Sequence, residues 1–504
     1  MATTDCPICL STFNEPELLP SCGHTFCHTC IIGVAEAARG GQRPRCPTCR
    51  SPFRVQDTKP NYTLRQLLAD SAASGSGSLV AAPSAPSMQP DAQGRADTDA
   101  PRVKRVRRTQ DQGEGLNAQE DRNRQAVEGL MELGVPSGLA QQILREDAQI
   151  ARRIFLLDDS GSTQALDGHH LVCEGGQTWM VDCSRWDEIK HMAFGHAEWN
   201  AKVGTPCEFI LLNPPSHPER REGVDFACLD TSRCSSQEAE QQVCRVRQML
   251  DWDSPGGVTP IADRLDELYE RIAREKQDLV AEGQRVILVL VTDGLPTTAR
   301  SGRSSIEDKQ RLVASLRKLT LDLPVFVIIR LVTDCDDVVE YYNSVDQEIE
   351  FNLEVLDDIK SEAKEIRQNG NGWFVYSPII HQIREGGTFI KLFDVMDERP
   401  LVPVEISLLG QLLLRPLGSP PFPREPAQFV EALKQHVSVA SKVYDPLRNA
   451  VVPPVNVFQA SRKMVPLSKN ITLVLSQSLS IVKRWHWYCA VLVLILAWQL
   501  ILRR

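Results

Sequence analysis

No apolar run opens this chain of 504 residues. Met1 to Asp5 leads directly into cysteine-rich sequence, so nothing there reads as a targeting segment, and the bulk of the protein is expected to face cytosol or nucleus. A basic surplus is also missing: the formal net charge of -9 gives no general case for nucleic-acid binding, and no nucleic-acid partner is expected. Aromatic residues make up only 6% of the chain, and none falls between residues 71 and 120. Beyond residue 49 the cysteines show no pair spacing. Cys173, Cys183, Cys207, Cys228, Cys234, Cys244, Cys335 and Cys489 are scattered, as free thiols in a reducing compartment would be. No nucleophile and base occur together in a recognisable local context, so hydrolysis is not read from the sequence. What remains is ordinary for a soluble globular protein, at 42% hydrophobic and 24% charged residues, with room for about three domains.

The cysteines that are paired lie between Cys6 and Cys49. Cys6-Pro7-Ile8-Cys9 is followed by Cys22-Gly23-His24, then Cys27-His28-Thr29-Cys30, then Cys46-Pro47-Thr48-Cys49. A Cys-x-x-Cys turn points both sulfurs at one ion, so three such pairs, with Cys22 and His24 as a fourth pair, supply the eight donors of two tetrahedral zinc sites. Few apolar residues accompany them, and bound metal would supply much of the folding free energy. The order of the ligands alone leaves open whether the pairs combine sequentially or interleaved.

This spacing resembles the RING finger family. The resemblance implies an α+β cross-brace in which Cys6, Cys9, Cys27 and Cys30 hold one Zn²⁺ and Cys22, His24, Cys46 and Cys49 the other. It also implies a ubiquitin ligase that binds a ubiquitin-conjugating enzyme and its ubiquitin without a covalent intermediate of its own. Ile8 and Pro47 would contact the conjugating enzyme, with Ile31 and Val34 completing an apolar groove. Arg50, directly after the last ligand, would hydrogen-bond both partners. Asn61 to Leu68 reads as a short amphipathic helix, similar to the one that follows the finger in tripartite-motif proteins.

Residues 71–120 are dominated by Ser, Ala, Gly, Pro, Asp and Gln, and cannot bury enough apolar surface to offset chain entropy; they read as a disordered linker. Within them Pro101 to Arg108 is a basic run, read as a solvated stretch or as a nuclear-localisation or acidic-partner patch. Residues 121–150 predict a helical pair, with Val127, Leu130, Met131 and Leu133 on one face and a break at Gly134-Val135-Pro136. Met131 to Val135 is weakly similar to the first loop of a ubiquitin-associated domain, but packing against the next domain is the preferred reading.

Ile154-Phe155-Leu156-Leu157 is a continuous apolar run of the kind found in buried parallel strands, and it ends in Asp158-Asp159-Ser160-Gly161-Ser162. Asp-x-Ser-x-Ser at a strand end resembles the metal-binding loop of von Willebrand factor A-type domains. The resemblance implies a doubly wound α/β domain over residues 151–385. It would carry one Mg²⁺ or Mn²⁺ on Asp158, Ser160, Ser162, Thr259 and Asp293, a set of oxygen donors suited to a hard cation. Such a site binds a partner carboxylate rather than catalysing. Strands are expected at Cys207–Leu212, Val286–Thr292, Val325–Leu331 and Trp373–Tyr376, and a helix whose buried face holds Ile261, Leu265, Leu268 and Ile272. Gln164 to Trp186 is longer and more polar than that family's usual connection and contains His169 and His170.

Residues 386–484 form an extension of no recognised type, with strand-like runs from Val402 to Leu417 and a helix from Phe429 to Val443. Residues 485–502 are free of charge and about long enough to span a bilayer as one helix, with Trp485 and Trp487 at one end and Lys483, Arg484, Arg503 and Arg504 flanking it. They read as a transmembrane tail anchor, placing the protein on the cytoplasmic face of an intracellular membrane. The resulting expectation is a membrane-tethered ubiquitin ligase (residues 1–70) whose A-type domain recruits a protein substrate. The alternative is a non-catalytic scaffold that uses both modules for binding only.

Overall fold

The computed structural model describes residues 6, 8, 13–20, 22, 24–37, 43–47, 51–61, 116–174, 177–213, 220–232, 234–252, 254–298, 301–349 and 352–464. Residues 62–68 of the expected helix after the finger, residues 71–115 of the expected linker with its basic run, and the expected membrane span at 485–502 lie outside them; residues 116–120, expected in the disordered linker, instead begin a helix. Among the described residues no helix is long and apolar enough to cross a membrane.

The N-terminal finger is built from β1 (Pro16–Leu18), β2 (Thr25–Cys27), α1 (His28–Ala37) and β3 (Lys59–Pro60). The strands form an antiparallel sheet in the order β2-β1-β3. Phe13, Leu19, Phe26, Ile31 and Phe53 bury themselves around the cysteine sulfurs. So small an apolar cluster offsets little chain entropy, and the fold of this unit depends on what binds the sulfurs.

The rest is an α/β body. Two helices, α2 (Leu116–Glu132) and α3 (Ser137–Asp147), precede the first sheet strand, β4 (Ile150–Leu157). A hairpin follows, of β5 (Gly168–Glu174) and β6 (Gln177–Cys183), and then α4 (Arg185–Val203). Next come β7 (Cys207–Leu211), β8 (Phe226–Leu229), α5 (Ser236–Trp252), α6 (Ile261–Ala273) and β9 (Arg285–Thr292). Beyond these are α7 (Ile306–Asp322), β10 (Val325–Leu331), α8 (Asp336–Ile349), β11 (Leu353–Leu356), α9 (Ile359–Ile366) and α10 (Pro378–Glu385). The six-stranded sheet runs β11-β10-β9-β4-β7-β8, parallel except for the edge strand β8. Helices cover both faces. Ile154 and Leu156 pack with Leu265, Leu316 and Tyr342 on one side, while Phe155 and Leu157 pack with Ile189, Ala193 and Met249 on the other. Alternate residues of one strand thus serve opposite layers, as the two-residue side-chain period requires.

The order places β4 and β9 side by side although more than a hundred residues separate them. They form the point where the winding reverses, and in open α/β sheets ligands bind outside the carboxyl ends of the strands there. Leu157 pairs with Val291, so the segments leaving the two strands, Asp158 onward and Asp293 onward, emerge together.

Several local expectations are corrected. Strand β4 begins at Ile150 and includes Arg152 and Arg153, which are buried because each is paired: Arg152 with Glu208 and Glu275, Arg153 with Asp147. Trp373–Tyr376 is not a sheet strand. Phe374 makes a single bridge to Val455, Trp373 is buried among helices, and the sixth strand is β11. The apolar run from Val402 is α11 (Pro403–Leu414), with so many faces covered that its pattern looked strand-like. The expected helix from Phe429 is α12 (Pro426–Val437), which stops before a short strand pair, β12 (Val443–Asp445) with β13 (Ala450–Val452). Met131 points outward rather than joining Val127 and Leu130 in the core.

The N-terminal helix pair and the segment beyond residue 386 share one apolar core: Leu130, Leu139 and Ile143 pack with Trp373, Phe393, Ile406 and Leu409. Gly134, at φ 87°, ends α2 in the left-handed conformation that glycine tolerates. Gly138 lets α3 approach α11 so closely that a Cβ there would meet the Leu412 carbonyl oxygen at 2.7 Å.

Candidate metal centres

In the finger, the ligand atoms of Cys6, Cys27 and Cys30 lie within 4.8 Å of one another, and those of Cys22, His24 and Cys46 form a second such group. The pairs are therefore grouped in the interleaved order rather than the sequential one. Cys9 and Cys49, the expected fourth donors, lie outside the described residues, as does Arg50. The buried Nδ1 of His24 has no hydrogen-bond partner, as a metal ligand would have none. His28, the other histidine in the stretch, instead places its Nδ1 2.8 Å from Glu17, which also accepts from the Thr58 hydroxyl. Sulfur with imidazole in groups of this size fits zinc. Ile8 is 7% exposed and packs with the finger's own core, Ile31 is buried, Val34 is partly buried against it, and Pro47 is half-buried.

At the switch point of the sheet, four of the five oxygen donors predicted for the cation meet in one hydrogen-bonded set. The buried Asp158 accepts from the Ser160 amide at 3.0 Å and from the Thr292 hydroxyl at 2.6 Å. Ser160 and Ser162 hydroxyls are 3.0 Å apart, and Ser162 donates to Asp293 at 2.8 Å. Thr259 reaches the same place from the loop before α6: a Cβ built on Gly294 would lie 3.6 Å from its hydroxyl and 3.9 Å from that of Ser162. Backbone bonds join the loops, Gly256 N–H to the Asp159 carbonyl and Thr297 N–H to that of Thr259. Asp159 faces away from the cluster and takes the Asn213 amide and side chain, fastening the end of β7. Burial, and then the charge of Asp293, push the Asp158 carboxyl up to about 7. With only oxygen donors around it, the site fits a hard divalent cation.

Three participants were not among the expected site residues. Thr292 is one. Arg185 is the second: its guanidinium donates to Asp293 at 2.9 Å and forks onto Asp167 with two bonds of 2.6 Å. Asp167 is the third. Arg185 and Asp167 flank the β5–β6 hairpin, inside the stretch already notable for its length and polarity. The hairpin continues away from this site to roof a cavity of about 750 Å³ at the carboxyl ends of β10 and β11. His169 and His170 line it, with the His170 and His191 rings 5.0 Å apart. Deeper, Arg330 bridges Glu188 at 2.8 Å and Glu385 at 2.7 Å, while His381 and His196 approach Glu385 from either side. Although burial opposes it, His381, His196 and Arg330 hold Glu385 well below the usual carboxylate range. Burial pushes Asp357 up to about 6, against the hydrogen bond its carboxylate accepts from the Asp358 amide.

Residues 6–47 match the RING-type zinc-finger family model. The chain is 38% identical over 66 residues to the E3 ubiquitin-protein ligase TRIM68 of Mus musculus, covering 13% of each chain. It is 42% identical over 65 residues to Tripartite motif-containing protein 6 of Mus musculus (12% of this chain, 13% of that protein) and 40% over 63 residues to Tripartite motif-containing protein 72 of Xenopus laevis (12% and 13%). The match therefore spans about 13% of the length of these relatives.

Proposed function

We propose that this chain is a RING-type ubiquitin-protein ligase whose α/β body recruits a protein substrate. The observation that carries the reading is the grouping of six zinc donors in interleaved triads within the stretch that matches RING fingers. The name of the murine relative, an E3 ubiquitin-protein ligase, agrees with it. Zinc would be held by Cys6, Cys9, Cys27 and Cys30 and by Cys22, His24, Cys46 and Cys49, and its role is to fix the finger's shape. The finger binds a ubiquitin-charged conjugating enzyme and restrains the ubiquitin so that a substrate lysine can attack. Orientation supplies the rate gain, with no covalent intermediate on the ligase. Pro47 and Arg50 are the contact residues of choice. Ile8 contributes to the finger's own packing, so its substitution would mix stability with recognition.

The body is assigned an A-type fold with a cation site on Asp158, Ser160, Ser162, Thr259 and Asp293 that captures a substrate carboxylate through Mg²⁺ or Mn²⁺. The reversed strand order at β4 and β9 and the meeting of the predicted donors there support this. Residues 485–502 are assigned as a membrane anchor on the cytoplasmic side, testable by carbonate extraction of the full chain against a form ending at residue 480. For the activity, the full chain is incubated with activating enzyme, a panel of conjugating enzymes, ubiquitin and ATP. Ubiquitin chains are expected, and Arg50→Ala is expected to reduce them with zinc still bound. Absence of chains across the whole panel would leave the scaffold reading instead.

A further inference from the structure

Arg185 is a resident cation in a site assigned to a divalent ion. Its side chain is only 13% exposed, and its three hydrogen bonds end on two carboxylates, Asp293 and Asp167. Asp293 is buried, and its other oxygen accepts from Ser162, one of the assigned donors. The guanidinium is therefore one carboxylate away from the ion's place. It is also held there firmly. Arg185 is the first residue of α4, Ser184 caps that helix through the Asp187 amide, and the Arg185 N–H donates to the Ala165 carbonyl. At the base of the hairpin the chain closes so tightly that a Cβ on Gly168 would lie 2.7 Å from the Ser184 carbonyl oxygen. The hairpin thus delivers a fixed positive charge to the cation loop.

We infer that Arg185 is a positioning residue that sets the affinity of the cation site, by neutralising part of the charge on Asp293 that would otherwise attract the ion. The inference rests on the cation reading given above. Arg185 meets two carboxylates, Asp293 and Asp167, while Asp158 stands in the same hydrogen-bonded set with no arginine on it. Removing the arginine adds a full unit of unbalanced negative charge beside the donors, and the site then holds a divalent cation more tightly. Removing Asp167 does the reverse, because the guanidinium is left to Asp293 alone. A purely structural brace would not give effects of opposite sign.

The test is Mg²⁺ titration of the zinc-loaded full chain by calorimetry, with thermal melts in and out of Mg²⁺ as a second readout. Arg185→Gln is expected to bind Mg²⁺ about tenfold more tightly, the scale on which groups behind the ligands tune metal sites. Its melting temperature should also rise more on adding Mg²⁺ than the wild type's does. Arg185→Lys, which keeps the charge, should stay near the wild-type affinity. Asp167→Asn, on a half-exposed residue that the fold tolerates more readily, should bind more weakly. Unchanged or weaker binding in Arg185→Gln, or tighter binding in Asp167→Asn, overturns the inference while leaving the site in place, provided Asp158→Ala abolishes binding. Should Asp158→Ala bind Mg²⁺ as the wild type does, the ion lies elsewhere and both readings fall.

Discussion

Replacing Arg153 by methionine should destabilise the body more than almost any single surface change, because of what it leaves behind. Arg153 sits in the central strand with its side chain 4% exposed and gives three hydrogen bonds: to Asp147 at 2.8 Å, to Asn200 at 2.9 Å and to the Gly386 carbonyl at 2.7 Å. Those partners lie at the end of α3, on α4 and just after α10, so one side chain ties three helical segments to the sheet. Asp147 is 3% exposed, and Arg153 is its ion-pair partner. Truncation therefore strands a buried carboxylate, at about 3–5 kcal/mol, a large fraction of the roughly 5–15 kcal/mol that holds a typical domain folded. In Arg153→Met/Asp147→Asn the buried charge is gone and mainly the bonds to Asn200 and Gly386 are lost, at about 1 kcal/mol each. The double variant should then be more stable than Arg153→Met alone, with a coupling of about 2 kcal/mol. Urea unfolding followed by tryptophan fluorescence reads this out, since among the described residues tryptophan occurs in the body and not in the finger. A single-variant loss below about 1 kcal/mol, or losses that simply add in the double variant, would refute the reasoning.

Three further outcomes follow from particular contacts. Stripping zinc with a chelator should unfold the finger and abolish ubiquitin-chain formation while leaving the body's tryptophan signal in place, because binding free energies of about 10–16 kcal/mol per structural zinc exceed what so small an apolar core provides. Gly138→Ala should lower thermal stability: overpacking against the Leu412 carbonyl costs about 1–3 kcal/mol, more than the gain in helix propensity. Asp357→Asn should stabilise the body at pH 7.5 by about 1–2 kcal/mol after allowance for solvent screening. Because the folded pKa of Asp357 is raised from 3.8 to about 6, its penalty is absent below pH 3.8, grows between there and pH 6 and is constant above. Melts of the two proteins should accordingly converge in acid, and a stabilisation independent of pH would point to a different cause.

That the hydroxyls and carboxylates of Asp158, Ser160, Ser162 and Asp293 would meet was legible in the sequence because the ingredients are local. A buried apolar run followed by Asp-x-Ser-x-Ser places three donors on one turn without any knowledge of the fold. Thr259 and Asp293 were legible as residues following strands or preceding an amphipathic helix. Arg185 was not, because its role depends on the register at which a polar hairpin closes, and nothing in the local sequence distinguishes it from a solvated helix-start arginine. Asp167 was hidden for the same reason. Arg152 and Arg153 concealed the first half of β4: a charge inside an apolar run reads as a boundary, and only the carboxylates of distant segments make it a core position. The strand reading of Val402–Leu417 failed on the opposite ground. Leu409, Leu412, Leu413 and Leu414 are all buried, so the helix carries no polar face from which a period could be read.

The two metal-type sites stand in different relations to their folds. In the finger the cysteine donors are built into the core itself, and His24 Nδ1 is left without a hydrogen-bond partner among the described residues, so metal and structure go together. In the body the donors are already joined by Thr292 to Asp158, by Ser162 to Asp293 and by Arg185 to Asp293, within a sheet buried on both faces. These bonds let the loops keep their shape whether or not a cation is bound. Under the proposed function, a cation site that is loaded and emptied without unfolding would let the body take up one substrate and release it for the next. The role inferred for Arg185 agrees with that reading, since its guanidinium bonds Asp293 at 2.9 Å and none of the hydroxyl donors.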